Sequence, residues 1–159
     1  MCDYSLMTVP NRLAVEGEEL AAHRFPTGSV GLASRADLSR ISDPAQIRPR
    51  GFWATVMNFF NPPVRQAVPA VCIPPGARLR LQDISERLQK ELQVGPEEEV
   101  FFTQITAAVN TYRDAVRFSN GRQIRLQELR EGQRVRVLDL SLAETFAPPT
   151  EEYSHLVLR

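Results

Sequence analysis

The chain is short of cysteine, histidine and lysine, and each shortage excludes something. Two cysteines, Cys2 and Cys72, do not make the multi-bridge framework of a small secreted scaffold. The two histidines, His23 and His155, form no HxH or HxxxH pair, and no CxxC exists, so no local motif pre-forms a metal site. Lysine occurs once, at Lys90, and arginine carries the rest of the positive charge. Basic and acidic residues number 19 each, so whole-molecule attraction to nucleic acid or an anionic membrane is not indicated. No apolar run approaches the roughly 20 residues of a membrane-spanning helix. The start, MCDYSLMTVPNRL, has neither the basic opening nor the apolar stretch of a signal peptide. A cytoplasmic protein with both cysteines as thiols is therefore expected. P-loop, GxGxxG and GxSxG patterns are absent, so no catalytic residue and no cofactor are assigned.

What is present points to β structure. In Ala115–Leu140, AVRFSNGRQIRLQELREGQRVRVLDL, the pair Asn120-Gly121 stands between the alternating runs Val116/Phe118 and Ile124/Leu126, a strong hairpin signal. A two-residue loop would set Val116 opposite Arg125 and mix charge into both faces. A three-residue loop, Ser119-Asn120-Gly121, sets Val116 opposite Ile124 and gives Gly121 the left-handed bulge position, so that register is preferred. Glu131-Gly132 is a second turn, and Val135 and Val137 begin a third strand. Leu138 and Leu140 fall on its other face, a change of phase that suggests a bulge or burial on both sides.

Upstream, Arg12 to Glu16 and Glu18 to Phe25 read as a hairpin around Gly17, with Leu13 and Val15 on one face and Ala21, His23 and Phe25 alternating on the second strand. Residues 26–50, rich in Ser, Pro, Gly and Arg, read as a long irregular loop with a helical turn near Ala36 to Ile41. Short strands are expected at Ala70 to Ile73 and Ala77 to Leu81, around Pro74-Pro75-Gly76. The best helix runs from about Ile84 to Val94, with Asp83 as cap, Glu86 as its capping-box partner and Gly95-Pro96 as the stop. A long strand follows over Val100 to Val109, with Phe101, Thr103, Ile105, Ala107 and Val109 on one face. Tyr153 to Leu158 reads as an edge strand.

Two sets of residues are candidate sites. Cys2, His23, Cys72 and His155 together would satisfy a tetrahedral Cys2His2 set, for which zinc is the natural ion. The plain alternative is a buried Cys72 between Val71 and Ile73, an exposed Cys2 and a solvated His155. In GFWATVMNFFN, Phe52, Val56, Phe59 and Phe60 share a helical face before Pro62-Pro63. That segment is either a short core helix or a partner-binding surface made by Phe52, Trp53, Met57 and Phe60. The seven arginines between Arg113 and Arg136 have only Tyr112 and Phe118 nearby for base stacking, so they read as the wet face of a sheet. Glu91 and Glu97 to Glu99 likewise read as a solvated acidic surface.

Two resemblances add to this. The Met-Cys start is similar to that of the class II glutamine amidotransferases, which implies Cys2 as an amino-terminal nucleophile with its own amine as base. Asp3 stands where that family has glycine, and the chain is short for a four-layer fold. The phrases MCDYS, HRFPTGSVGLAS (His23 to Ser34) and AVCIPPG (Ala70 to Gly76) resemble an uncharacterised bacterial protein family whose members begin Met-Cys-Asp-Tyr-Ser. That resemblance implies no activity, but it places both cysteines in the recognisable phrases.

The expected fold is mainly β (α+β): a twisted antiparallel sheet or partly open small barrel with one or two short helices, as a single domain over 1–159. The expected function is a non-enzymatic bacterial cytoplasmic module that binds a protein or small ligand. The alternatives are a metal- or thiol-dependent site built from Cys2, Cys72 and His23, and an amino-terminal cysteine amidohydrolase.

Overall fold

The computed structural model describes residue 6 and residues 8–42, 67–105 and 111–144. Nine strands form one sheet: β1 (Asn11–Leu13), β2 (Glu19–Arg24), β3 (Val30–Ser34), β4 (Ala70–Cys72), β5 (Arg78–Gln82), β6 (Glu98–Gln104), β7 (Asp114–Phe118), β8 (Gln123–Arg125) and β9 (Arg134–Asp139). Among the described residues two short α-helices accompany them, α1 (Arg35–Ser42) and α2 (Glu86–Leu92). The strand order is β1-β4-β3-β2-β9-β5-β6-β7-β8. Every pairing is antiparallel except β1 with β4, so the sheet is mixed.

Alternation selects the inner face. Leu20 and Ala22, Leu79 and Leu81, Val100 and Phe102, Val116 and Phe118, and Val135 and Val137 occur at every second position, and all are buried in one core cluster. Because they line one side of successive strands, the sheet curls around them. It does not close as a ladder. At the seam, the 3-10 turn Leu126–Glu128 that follows β8 meets β3, and the Gln127 side chain takes the place of a neighbouring strand. Its Nε2 donates to the Val30 carbonyl at 3.0 Å, and the Val30 amide donates to its Oε1 at 3.1 Å. A carboxamide carries the same donor and acceptor as a peptide group, so one side chain satisfies both backbone atoms.

The hairpin at Asn120-Gly121 has the three-residue register: Val116 pairs with Ile124 and Arg117 with Gln123. Gly121 has φ +83 and its amide donates to the Phe118 carbonyl at 3.0 Å. The turn also caps a helix. Asn120 Nδ2 donates to the carbonyls of Leu92 and Gln93 at 2.9 and 3.2 Å, and Arg122 donates to the Glu91 carbonyl, which satisfies acceptors that the end of α2 leaves open. The change of phase in β9 is a bulge: Leu79 pairs with Val137 but Arg78 with Asp139, which leaves Leu138 unpaired.

Other expectations give way. The hairpin around Gly17 does not form: β1 pairs with β4, and β2 pairs with β3 and β9. The loop expected over 26–50 contains β3, which was not foreseen, while its expected helical turn near Ala36 to Ile41 forms as α1; residues 43–50 lie outside the described ones. Strand β3 is VGLAS, buried throughout, so it has no polar face to alternate with. The third strand expected after Glu131-Gly132 forms as β9, but between β2 and β5 rather than beside β8. Helix α2 begins at Glu86 with Ser85 in the cap position, and Asp83 takes a positive φ of 58 instead of capping. On β6 the inward residues are Val100 and Phe102, not Phe101 and Thr103, because Val100 pairs with buried Leu79 while Phe101 lies opposite Arg78 and Arg117. The remainder of that expected strand, the aromatic segment and the expected edge strand at Tyr153 to Leu158 lie outside the described residues.

Candidate functional site

A second, smaller cluster sits on the outer side of β2, β3 and β4: Leu6, Val9, Phe25, Ala33 and Ala70 are buried there, with Leu38 of α1 and Val68 packed against them. Gly31 makes room for it. A Cβ at that position would stand 2.6 Å from Leu6 Cδ1 and 3.1 Å from Phe25 Cε2, so only a hydrogen admits both side chains. Among the described residues the Val9 amide donates to the Leu6 carbonyl at 3.0 Å, closing a local turn, and the Ala70 amide donates to the Pro10 carbonyl at 2.7 Å, joining the segment to β4.

Two of the four candidate metal ligands belong to this face. His23 pairs with Gly31, and Ala33, two residues along, pairs with Ala70. Cys72 lies two residues beyond Ala70 and so shares its side of β4. His23 and Cys72 thus share the outer face. His23 Nδ1 is 3.5 Å from Glu131 Oε1, and its ring meets Phe25 edge to face at 5.0 Å. Cys72 is buried and, contrary to the expectation of a thiol, disulfide-bonded. A sulfur so engaged is not the thiolate that a metal site requires. Cys2 and His155 lie outside the described residues, as do Phe52, Trp53, Met57 and Phe60. Among the described residues, no group of three or more His, Cys, Asp or Glu side chains is placed to hold a metal ion.

At the edge of the sheet beside this face stands a feature to which sequence reading gave no role. Leu13 and Val15 are 71% and 61% exposed, the most open of the large apolar side chains among the described residues. The Pro10 carbonyl and the Ala14 amide bond to β4, at 2.7 and 3.0 Å. In a parallel ladder the alternate residues turn the other way, so the peptide groups of Asn11 and Leu13 face away from β4, and there the Leu13 carbonyl accepts from Arg12 Nη1 at 3.2 Å. The only sequence signal was the spacing of Leu13 and Val15, which reads equally well as a core face.

The corner behind that edge is held by charge. The Arg12 guanidinium bonds to both Glu18 carboxylate oxygens, and Asp37 of α1 lies 3.8 Å from it. Glu18 also accepts from the Val15 amide at 3.2 Å. Its carboxyl is held below the usual range, chiefly by the Arg12 hydrogen bond against an opposing desolvation, with the Val15 amide, the Arg12 charge and a bond from Ser34 adding to the fall.

The arginines of the central strands form a paired lattice. In one row across four strands lie Glu19, Arg136, Arg80 and Glu99. Arg136 is 3.6 Å from Glu19, Arg80 is 2.9 Å from Glu99 and 3.5 Å from Glu97, Arg134 is 3.3 Å from Asp83, and Arg78 is 3.8 Å from Asp139. With a carboxylate beside each guanidinium, this surface offers no excess charge for a polyanion.

The fold is thus a mainly-β, unclosed mixed sheet with two short helices, and among the described residues no helix is long and apolar enough to cross a membrane. No family model, curated protein or solved structure matches the chain.

Proposed function

We propose that the chain is a non-enzymatic binding module that takes an extended aliphatic segment of a partner protein along the β1 edge. The reading is supported above all by the exposure of Leu13 in β1 and of Val15 just after it, beside the Asn11 and Leu13 amides that the ladder turns away from β4. Unpaired edges with apolar side chains are templates for an added strand, the main chain giving affinity and alternate side chains giving selectivity. The Arg12–Glu18–Asp37 corner fixes the edge to the turn before β2 and to α1, so the docking strand is pre-organised.

Selection from a random peptide library against the purified chain tests this. The expected winners are extended peptides with alternating aliphatic residues. Their binding should fall at least about tenfold with Leu13→Asp, a loss of roughly 1.4 kcal/mol, and their NMR footprint should centre on the Asn11 and Leu13 amides. Enrichment of no peptide, or of peptides indifferent to Leu13→Asp, overturns the proposal.

A further inference from the structure

We infer that Asn120 is a site of spontaneous deamidation, and that the modification removes the cap of α2 irreversibly once the hairpin has opened. Of the five asparagines, Asn120 alone precedes glycine; Arg12, Phe59, Pro62 and Thr111 follow the others. Deamidation begins when the next backbone nitrogen reaches the side-chain carbonyl carbon, and glycine leaves that approach free of a Cβ. Ser119, Asn120, Gly121 and Arg122 are exposed, and nothing lies within 4 Å of where a Gly121 Cβ would stand, so water reaches the site. In the closed hairpin, however, each reacting group is occupied. The Gly121 amide proton is held by the Phe118 carbonyl at 3.0 Å. Asn120 Nδ2 donates to the Leu92 and Gln93 carbonyls at 2.9 and 3.2 Å, and its Oδ1 accepts from the Arg122 amide at 3.0 Å. Carbonyls cannot donate and an amide N–H cannot accept, so the side chain has one orientation, with its NH2 toward the helix end. The reaction therefore waits for a local opening.

In the opened hairpin the Gly121 nitrogen gives up its proton to water and attacks Asn120 Cγ. The N–Cγ bond forms, the Cγ–Nδ2 bond breaks, and Nδ2 takes up a proton and leaves as ammonia. Water then adds to one carbonyl of the cyclic imide and reopens it, giving aspartate by cleavage at Cγ and isoaspartate by cleavage at the backbone carbonyl. One water is consumed, one ammonia is released, and nothing is oxidised. The product cannot close as the amide did. An ionised carboxylate only accepts, so it would turn a charge toward the Leu92 and Gln93 carbonyls, at the helix end where negative charge already gathers. Isoaspartate also lengthens the turn backbone and so opposes the bond from the Phe118 amide to the Arg122 carbonyl at 2.8 Å. What loosens is the end of α2, where Leu92 and Val94 pack against the inner core.

The test incubates the full-length chain in mildly alkaline buffer, with and without denaturing urea, and follows the products by peptide mass spectrometry. Conversion should occur first at Asn120, and at least about tenfold more slowly without urea, since only opened hairpins react. In the converted protein, hydrogen exchange at Gln93 and Val94, whose amides both donate to the Gln89 carbonyl, should accelerate about tenfold or more, while Leu79, Val100 and Val135 keep their rates. Asn120→Asp should reproduce that acceleration without incubation. Asn120→Ala, which loses the donor but adds no charge, should show a smaller one. Earlier conversion at another asparagine, equal rates with and without urea, or exchange at Gln93 and Val94 that responds to neither the conversion nor Asn120→Asp overturns the inference.

Discussion

Strands β2, β3 and β4 are covered on both sides, while β5, β6 and β9 are covered on one. On the first group the inner core and the outer cluster face each other through the sheet, and the strands are built from small residues: Ala21, Ala22, Gly31, Ala33 and Ala70. On the second group large aliphatic residues point inward and the arginine–carboxylate lattice faces water. The difference follows from space. A strand between two packed layers has little room on either side where another segment lies close, whereas a strand with one wet face can put its bulk inward and its charge outward. It also divides the molecule by robustness. The inner core is shared by nearly the whole sheet, and the outer cluster is covered, among the described residues, by Leu6 and Val9 with Leu38 of α1 and Val68.

The sharpest way to break that comparison is to truncate one leucine in each layer. Leu79, fully buried at the centre of the inner core, should cost about 2–5 kcal/mol as Leu79→Ala in urea unfolding. Leu6→Ala should cost less and raise hydrogen exchange only around Val9 and Ala70, because that layer can open without the inner core. Equal global losses from the two substitutions would show that the layers are one cooperative unit.

Gly31→Ala tests the contact between the layers. The added Cβ would meet Leu6 at 2.6 Å and Phe25 at 3.1 Å, and the Leu6 tip must move. The expected cost is about 1–3 kcal/mol. In a Leu6→Ala background the closer obstruction is gone and only the Phe25 ring remains, so a double-mutant cycle should return a favourable coupling of most of that size, and strict additivity would mean that the close approach to Leu6 is unimportant. At the seam, Gln127→Ala would strip the Val30 amide and carbonyl of their partner, costing about 1–3 kcal/mol, with Gln127→Glu retaining the acceptor but not the donor and falling between. A seam variant as stable as the parent would mean that water replaces the side chain.

Two hairpins show what could be read beforehand. Ser119-Asn120-Gly121 and Pro26-Thr27-Gly28 are the same turn: Phe118 and Phe25 each donate to the residue after the glycine, at 2.8 and 2.9 Å to Arg122 and Ser29, and each glycine amide returns a bond to its phenylalanine carbonyl. Both glycines are left-handed, with φ +83 and +84. The first was legible because Val116, Phe118, Ile124 and Leu126 alternate with polar residues. The second was not, since Val30–Ser34 is small and buried on both faces, and a strand without a wet side has no period to display. The partner of β1 was hidden for a different reason: β4 lies far along the chain, and a parallel pairing of three residues leaves no local mark. Of the candidate site, composition offered Cys72 and His23 only as members of one ligand set; the sheet puts both on its outer face, but a spacing rule could not reveal that the Cys72 sulfur is in a disulfide.

The smallest expected effect concerns the corner that carries the β1 edge. Glu18 is held below the usual carboxylate range in the folded chain, first by the Arg12 hydrogen bond, so it releases its proton more readily folded than unfolded. Its contribution to stability is therefore complete above the ordinary carboxylate range and is lost as pH falls through the lowered value. Arg12, raised by the same bond, stays charged throughout and adds no pH dependence of its own there. Glu18→Gln removes the titrating group while keeping a side chain of the same size. The difference in urea midpoint between parent and variant should be level near neutrality and should shrink steadily in acid, because protonated Glu18 no longer holds Arg12 by charge. Since Glu18 also accepts from the Val15 amide, the same acid range should loosen the residues next to Leu13 before the inner core responds. Midpoint curves that stay parallel down to the acid limb would place the lowered carboxyl elsewhere and would leave the β1 edge without its charged anchor.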